Sequence, residues 1–264
     1  MDIGAGNILD WILYLMLIFL RIISMFALSP VFGRNMPSIA KIVLSLCMSF
    51  IILLVIPPQQ PVMFNSLLEF TVAAMKEVIL GIIFSFIIIV FTGAVYTAGQ
   101  IIDLQLGFSF AQVYNPVTGA QTPISGTLLN LFIILIFFVT DSHLILLKLI
   151  YDTYSVLPPG KVIFDTSIVQ LMVYSFVMSF EMGFKIALPV LVVSLVTEVL
   201  LGVVMKAVPN VNFFVIGFPV KILIGLIIMI AVIPVLTEMS NSMFTTMFSA
   251  IQKVFDEMGR VTIG

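Results

Sequence analysis

Long apolar runs, separated by short polar and proline-rich segments, dominate the hydropathy pattern of this chain. A membrane-spanning helix needs about 20 mostly apolar residues. The pattern predicts six such helices, at Trp11–Ser29, Ile42–Ile56, Leu67–Val95, Leu128–Tyr151, Ile168–Thr197 and Phe213–Leu236. Prolines in each intervening segment mark the predicted helix ends, because proline lacks a backbone donor and clashes with the preceding turn. The remaining segment, Asn241–Gly264, is polar and mildly amphipathic and predicts a fraying surface helix.

Composition changes this picture from apolar helices to an all-α integral membrane protein. Of the 264 residues, 61% are hydrophobic and only 9% are charged, whereas a soluble domain carries about 25% charged residues. The net charge of -2 leaves no electrostatic footprint for nucleic acid. One cysteine and one histidine argue against a zinc site. Without a phosphate-binding or hydrolase motif, we expect no catalysis, no metal and no cofactor.

Several charges lie within or beside these apolar runs. Arg21 lies midway along the first run, and Glu181 and Lys185 share one helix face of the fifth. Three more adjoin apolar stretches: Glu198, Lys206 and Lys221. An ionisable group at membrane depth costs about 2.5–3.5 kcal/mol on insertion scales, so it usually faces protein or a water-filled cavity. Structural pairing or snorkelling and a pathway-lining or inter-subunit role both remain open. With six spans, three Lys and Arg residues of the loops fall on each side of the membrane. The positive-inside rule therefore predicts no orientation of the chain.

The longest stretch without a charge, between Asp103 and Asp141, contains a segment unlike a helix. From Leu104 to Phe110 apolar residues alternate with Gln, Gly and Ser, a period of two that predicts an extended segment. Irregular backbone near membrane depth is tolerated only when buried in protein or lining an aqueous cavity. Apolar side chains there could gate a pore by dewetting, although a loop packed on its own helices fits the pattern as well.

Around this segment the sequence resembles the FliR family, integral components of the flagellar type III protein-export gate with injectisome counterparts. The resemblance begins with the string Gly99–Phe108. Further matches lie on both sides of this string. Arg21–Pro30 and Pro37 come before it. After it follow Asn115-Pro116, Gly119–Gln121, Pro123, His143, Leu157-Pro158-Pro159-Gly160, Pro209–Phe214, Gly217, Pro219, Lys221 and Gly225. Departures are Asp141 and Ser142, where the family often has glycine, Lys206 for arginine and Asn210 for glutamine.

The resemblance implies a helical hetero-oligomer with FliP and FliQ, wrapped by FlhB and completed by FlhA. It would lie in the bacterial inner membrane at the flagellar basal body, raised toward the periplasm, with lipid covering part of it. Its cargo would be unfolded flagellar proteins. Residues 1–167 would form a FliP-like helical portion and residues 168–264 a FliQ-like helical hairpin with a tail.

The family's pore-closing plug maps to a loop at about 104–127. The implied plug residues are Gly107, Phe108, Phe110, Val113, Tyr114, Asn115 and Pro116. Their polar neighbours would be Gln100, Asp103, Gln105 and Gln112. Buried contacts between helices or subunits would involve Arg21, Glu181, Lys185, Glu198, Lys206 and Lys221.

Two other functions are alternatives to an export gate. A self-contained secondary transporter of a small solute would use broken helices at the midplane. Pro189 fits that design, but the two halves show no evident internal symmetry. An intramembrane enzyme would need clustered catalytic groups. Asp141 and His143 are two residues apart and would point to different faces of a helix.

Overall fold

The computed structural model describes residues 5–30, 36–57, 64, 66–108, 123–207 and 213–263. Seven α-helices run through these ranges: α1 (Ala5–Leu28), α2 (Ser38–Val55), α3 (Leu67–Leu106), α4 (Ile124–Val139), α5 (Ser142–Val156), α6 (Thr166–Ala207) and α7 (Phe213–Ile263). Helices α1, α2, α3, α6 and α7 each contain a stretch long and apolar enough to cross a membrane, and α4 with α5 forms a sixth candidate that is broken between the two helices. The chain is therefore an all-α membrane protein.

Three expectations about the elements were wrong. Residues 104–106 are helical rather than extended, because Ile102 and Leu106 are buried at helical spacing while Leu104 is exposed. The single predicted run Leu128–Tyr151 is two helices, separated at Thr140 and Asp141. The segment from Asn241 is a continuation of α7, and we expected a separate surface helix.

The end of α7 is held by packing along one face. Its buried side chains recur every three or four residues, which is the stripe of a helix packed on one side. They are Met243, Phe244, Met247, Phe248, Ala250, Ile251, Val254, Phe255 and Met258. This stripe is the apolar face of the mildly amphipathic pattern in the sequence.

The chain divides into two compact units, each assembled from separated segments. Unit 1 comprises Met1–Val90, Asp141–Phe176 and Thr245–Gly264, and unit 2 comprises Phe91–Thr140 and Val177–Phe244. The predicted division into a FliP-like portion, residues 1–167, and a FliQ-like portion, residues 168–264, is a statement about resemblance to other proteins. It stays a prediction.

Close backbone approaches organise each unit. In unit 1, a Cβ on Gly81 of α3 would lie 2.5 Å from the carbonyl oxygen of Arg21 on α1. In unit 2, a Cβ on Gly183 of α6 would lie 2.6 Å from the carbonyl oxygen of Ala94 on α3. Both distances are too short for any side chain, so these glycines let helix backbones meet. These close approaches fix α1 against α3 in unit 1 and α3 against α6 in unit 2.

Candidate functional site

Arg21 is buried inside unit 1 opposite a carboxylate. Its Nε donates to Oε2 of Glu77 at 2.6 Å, and the two residues are 1% and 0% exposed. The guanidinium also donates to the Thr153 hydroxyl at 3.3 Å and to the Leu157 carbonyl at 3.1 Å. Arg21 thereby joins α1 to α3 and to the end of α5, as a contact between helices of one chain.

The second carboxylate oxygen of Glu77 and the flat face of the Arg21 guanidinium also make contacts. The other Glu77 oxygen, Oε1, accepts the Gly160 N–H at 2.8 Å, just beyond α5. The Arg21 guanidinium lies 4.3 Å from the centre of the Tyr154 ring, and the Tyr154 hydroxyl donates to the Ile18 carbonyl at 3.1 Å. We call Arg21, Glu77, Thr153, Tyr154, Leu157 and Gly160 the Arg21 cluster. Such dense hydrogen bonding is what a buried ion pair needs to offset its desolvation.

Glu77 was not among the residues predicted from sequence, although a signal for it was present. It lies inside the apolar run Leu67–Val95, as Arg21 lies inside the first run. Opposite charges in two spans are natural partners, because each is costly when unpaired. Matching charges across the runs would have offered Glu69 and Glu77 as partners for Arg21.

In unit 2, three predicted residues from three different helices come together. Nε2 of Gln105 on α3 donates to Oε2 of Glu198 on α6 at 3.3 Å, and Lys221 on α7 forms an ion pair with Oε1 of the same carboxylate. The side chains of Lys221 and Glu198 are 12% and 41% exposed. This Glu198 network is only partly covered by the chain itself.

Asp103 occupies a buried position at the other side of α3. Its Oδ1 accepts the backbone N–H of Ser125, at the start of α4, at 3.0 Å. Both residues are at most 2% exposed. Asp103 was predicted as a polar neighbour of the plug, and it lies near both ends of the connection between α3 and α4.

Other predicted polar residues lie on the surface of the described chain. Glu181 and Lys185 form an ion pair of 2.7 Å along α6, with side chains 53% and 55% exposed. The pair joins α6 to itself, so it is neither buried nor a contact between helices of this chain. Gln100 and Lys206 are exposed as well. A role of these residues between subunits stays a prediction.

Only the first two predicted plug residues fall within the described part of the chain. Gly107 ends α3 with a φ of 85°, a conformation that favours glycine, and Phe108 is half-buried. The others lie outside the described residues: Phe110, Gln112, Val113, Tyr114, Asn115 and Pro116.

The structure is that of a helical membrane protein in which several charged side chains join different helices. Comparison with known proteins identifies its family. The family described as "Bacterial export proteins, family 1" matches residues 12–247. The chain belongs to this family.

Individual relatives cover nearly the same length. The chain is 27% identical to the flagellar biosynthetic protein FliR of Escherichia coli strain K12, over 94% of this chain and 96% of that one. It is 28% identical to FliR of Bacillus subtilis strain 168, over 96% and 99% of the two chains. The secretion system apparatus protein SsaT of Salmonella typhimurium is 27% identical over 63% of this chain.

A cavity in unit 2 of this export-family protein bears on the transporter alternative. It has a volume of about 260 Å³ and lies among α3, α4, α6 and α7. Its lining is apolar: Ile102, Leu128, Leu129, Phe132, Ile186, Val190, Leu226, Met229, Ile230, Val232, Ile233 and Leu236. Sites for small solutes combine an apolar wall with a few placed polar groups. This lining offers no group to select a polar or charged solute.

Proposed function

We propose that this chain is an integral subunit of the flagellar type III export gate. It would help to form the channel through which unfolded flagellar proteins leave the cell, and it would close that channel when idle. Its work would be structural rather than enzymatic. Membership of the bacterial export family supports this function, and the relatives named FliR support its flagellar form.

The observation that carries the proposal is the exposed apolar face of α6. Exposed large apolar side chains recur between Val177 and Val204, a stretch of about 40 Å at 1.5 Å per residue. The whole helix has 42 residues, or about 63 Å. The hydrocarbon core of a bilayer is only about 30 Å thick. Without tilting, a face of this length would extend beyond the acyl chains, which supports cover of part of it by other protein.

The surface ion pair on the same face fits a covering made of protein. Glu181 and Lys185 lie among exposed Phe180, Phe184 and Leu188. A charged pair facing acyl chains is costly, whereas polar groups of a neighbouring subunit can satisfy it. We therefore propose that α6 packs in a hetero-oligomer with FliP and FliQ, joined by FlhB and FlhA. The assembly would lie in the inner membrane and rise toward the periplasm.

The gate itself would be the connection between α3 and α4. Its apolar side chains would close the channel by excluding water from a narrow passage. The described chain supports this role through its anchors, since Leu106 and Asp103 at one end and Ser125 at the other are buried. The connection would thus start and end on fixed helices.

The test is to replace residues 109–122 with a short Gly/Ser linker in cells that carry the complete export apparatus. We expect complexes to be recovered at normal yield while ion leakage through their membrane rises several-fold, because the apolar closure is gone. Leakage is measured in vesicles from these cells with a dye sensitive to membrane potential. An assembled complex with unchanged permeability would exclude this gate.

The secondary-transporter alternative gives a different result in the same cells. A self-contained transporter remains stable when the partner proteins are deleted, and it binds a solute alone. We expect instead that deletion of FliP or FliQ lowers the amount of this chain in the membrane and stops secretion of filament protein. Quantitative blotting of membranes and culture medium measures both.

A further inference from the structure

Helix α4 begins without a cap from its own sequence. Pro123 precedes it with extended backbone angles, φ -64° and ψ 131°, and supplies no side-chain hydrogen bond. The first four N–H groups of a helix have no partner within that helix. One of them, the N–H of Ser125, is satisfied by Asp103, 22 residues earlier on α3. The carboxylate charge also suits the positive end of the helix dipole. Asp103 is therefore the cap of α4, supplied from another helix.

One helical turn away, the same two helices meet backbone to backbone. A Cβ on Gly99 would lie 2.0 Å from the Cα of Gly126, and a Cβ on Gly126 would lie 3.3 Å from the carbonyl oxygen of Tyr96. Gly99 and Asp103 are four residues apart and share a face of α3. The close approach and the capping bond thus act side by side on the first turn of α4.

The last turn of α3 has a second anchor, on α7. Leu106 is fully buried, and a Cβ on Gly225 would lie 2.2 Å from its Cδ2 atom. Because Leu106 lies three residues after Asp103, this contact limits rotation of α3 at the turn that carries the cap. The end of α3 is thereby fixed on two sides.

We propose that Gly99, Asp103, Ser125 and Gly126 form a clasp that holds the two ends of the gate connection at a fixed separation. Asp103 is the positioning residue of this clasp and acts through the Ser125 N–H, without touching cargo. The inference rests on the proposed gate and adds the element that keeps it closed. When the cap is lost, the start of α4 moves and the closure no longer seals.

The first measurement reads the clasp directly and does not depend on gating. Spin labels are placed at Leu104 and Leu128, which are 71% and 58% exposed, in the full-length chain within the purified complex. Electron–electron double resonance then gives the distribution of distances between them. We expect a narrow distribution in the parent and in Asp103→Asn, which keeps an acceptor oxygen, and a clearly broader one in Asp103→Ala. An equally narrow distribution in Asp103→Ala would overturn the clasp.

The second measurement reads the function of the clasp. In vesicles with the assembled complex, Asp103→Ala should raise ion leakage several-fold, and Asp103→Asn should remain at the parental level. The matched control is Glu238→Ala, which removes an exposed carboxylate of unit 2 and should leave leakage unchanged. A broadened distance without leakage would contradict the positioning role. Equal leakage in Asp103→Asn would mean that charge, and not capping, is what matters.

The two measurements separate failure of the clasp from failure of the gate. If the Gly/Ser replacement of residues 109–122 causes no leakage, the gate is wrong, while the distance measurement still decides whether the clasp exists. If Asp103→Ala complexes are not recovered, Asp103→Ser provides a second variant. Its hydroxyl is too short to reach the Ser125 N–H, so we expect a distribution clearly broader than the parental one. A parental distance in that variant would count against the clasp.

Discussion

The Arg21 cluster of unit 1 and the ion pairs of unit 2 lie in opposite environments. In unit 1, Arg21 and Glu77 are completely buried, and their hydrogen bonds end on groups of the same chain. In unit 2, the Glu198 network is half-covered, and Glu181 and Lys185 are more than half exposed on an apolar helix. The first arrangement is complete within one chain. In the second arrangement, charged and apolar side chains are exposed side by side. Such a surface is expected of a subunit that packs against other proteins.

Physical chemistry predicts different consequences for the two arrangements. Removing one partner of a buried ion pair leaves an uncompensated charge and costs about 3–5 kcal/mol. An exposed pair contributes about 0–1 kcal/mol, because water screens it and two long side chains lose freedom. Removing one charge of the Arg21 cluster should therefore unfold the chain. Changing an exposed ion pair of unit 2 should leave the chain folded and affect its assembly.

Glu77→Ala should have the largest effect. It leaves the Arg21 guanidinium buried without its carboxylate and also deprives the Gly160 N–H of its acceptor. We expect a loss of about 3–5 kcal/mol of unfolding free energy, enough to remove most of the chain from the membrane. Membrane abundance and the thermal unfolding temperature of purified complexes measure it.

The control for this prediction is Glu181→Ala, which breaks an exposed ion pair in the same way. Membrane abundance of the chain should fall little, because a pair that is exposed in the chain itself contributes no more than about 1 kcal/mol to its unfolding free energy. Arg21→Met combined with Glu77→Met should recover part of the loss, because the lone charge is gone. Recovery is incomplete because Leu157 and Gly160 still lose their partners. Equal damage from Glu77→Ala and Glu181→Ala would end the contrast between the units.

The sequence predicted the helical membrane architecture well, because 18 or more consecutive apolar residues have few other solutions. Where a helix ends was harder to predict. Leu104 to Leu106 alternate in polarity, yet burial of Ile102 and Leu106 continues the helix through them. At the end of α7, the mildly amphipathic pattern predicted a helix, but not that this helix continues from the apolar run before it.

Contacts between distant segments were only partly predictable. Gln105, Glu198 and Lys221 were each selected as polar residues near apolar runs, and they meet in unit 2. Two contacts depend on how α3 and α4 cross. They are the capping of the Ser125 N–H by Asp103 and the close backbone approach of Gly99 to Gly126. A crossing is set by the fit of whole helix faces, which no short motif records.

A smaller effect on the chain, with a larger one on assembly, is expected from Glu181→Lys. Two lysines four residues apart repel by only about 0.2–0.5 kcal/mol on an exposed helix. Buried against a neighbouring subunit, the same change places like charges in a poorly solvated contact. Recovery of the complex by affinity purification should fall several-fold, while membrane abundance of the chain falls little.

Exchanging both residues sharpens this test. Glu181→Lys with Lys185→Glu restores the ion pair in reversed order, so complex recovery should return in part. If neither single reversal changes recovery, Glu181 and Lys185 face water and the partner-facing assignment of unit 2 fails at this point.

The smallest effect concerns Asp141, a charged residue whose backbone matters more than its charge. It precedes α5 with φ 54° and ψ 19°, the left-handed conformation, and its side chain makes no capping hydrogen bond. An L-residue pays about 1–2 kcal/mol there, Asp less than most, and glycine almost nothing. Asp141→Gly should therefore stabilise the chain by up to about 1 kcal/mol, as read from the unfolding temperature of the purified complex.

Two further substitutions separate backbone from charge at this bend. Asp141→Asn removes the charge and keeps the tolerance for the left-handed conformation, so stability should stay within about 0.5 kcal/mol of the parent. Asp141→Val keeps the size and adds branching at Cβ, which the conformation disfavours, and should destabilise. If Asp141→Asn instead costs as much as Asp141→Val, the charge itself stabilises the bend.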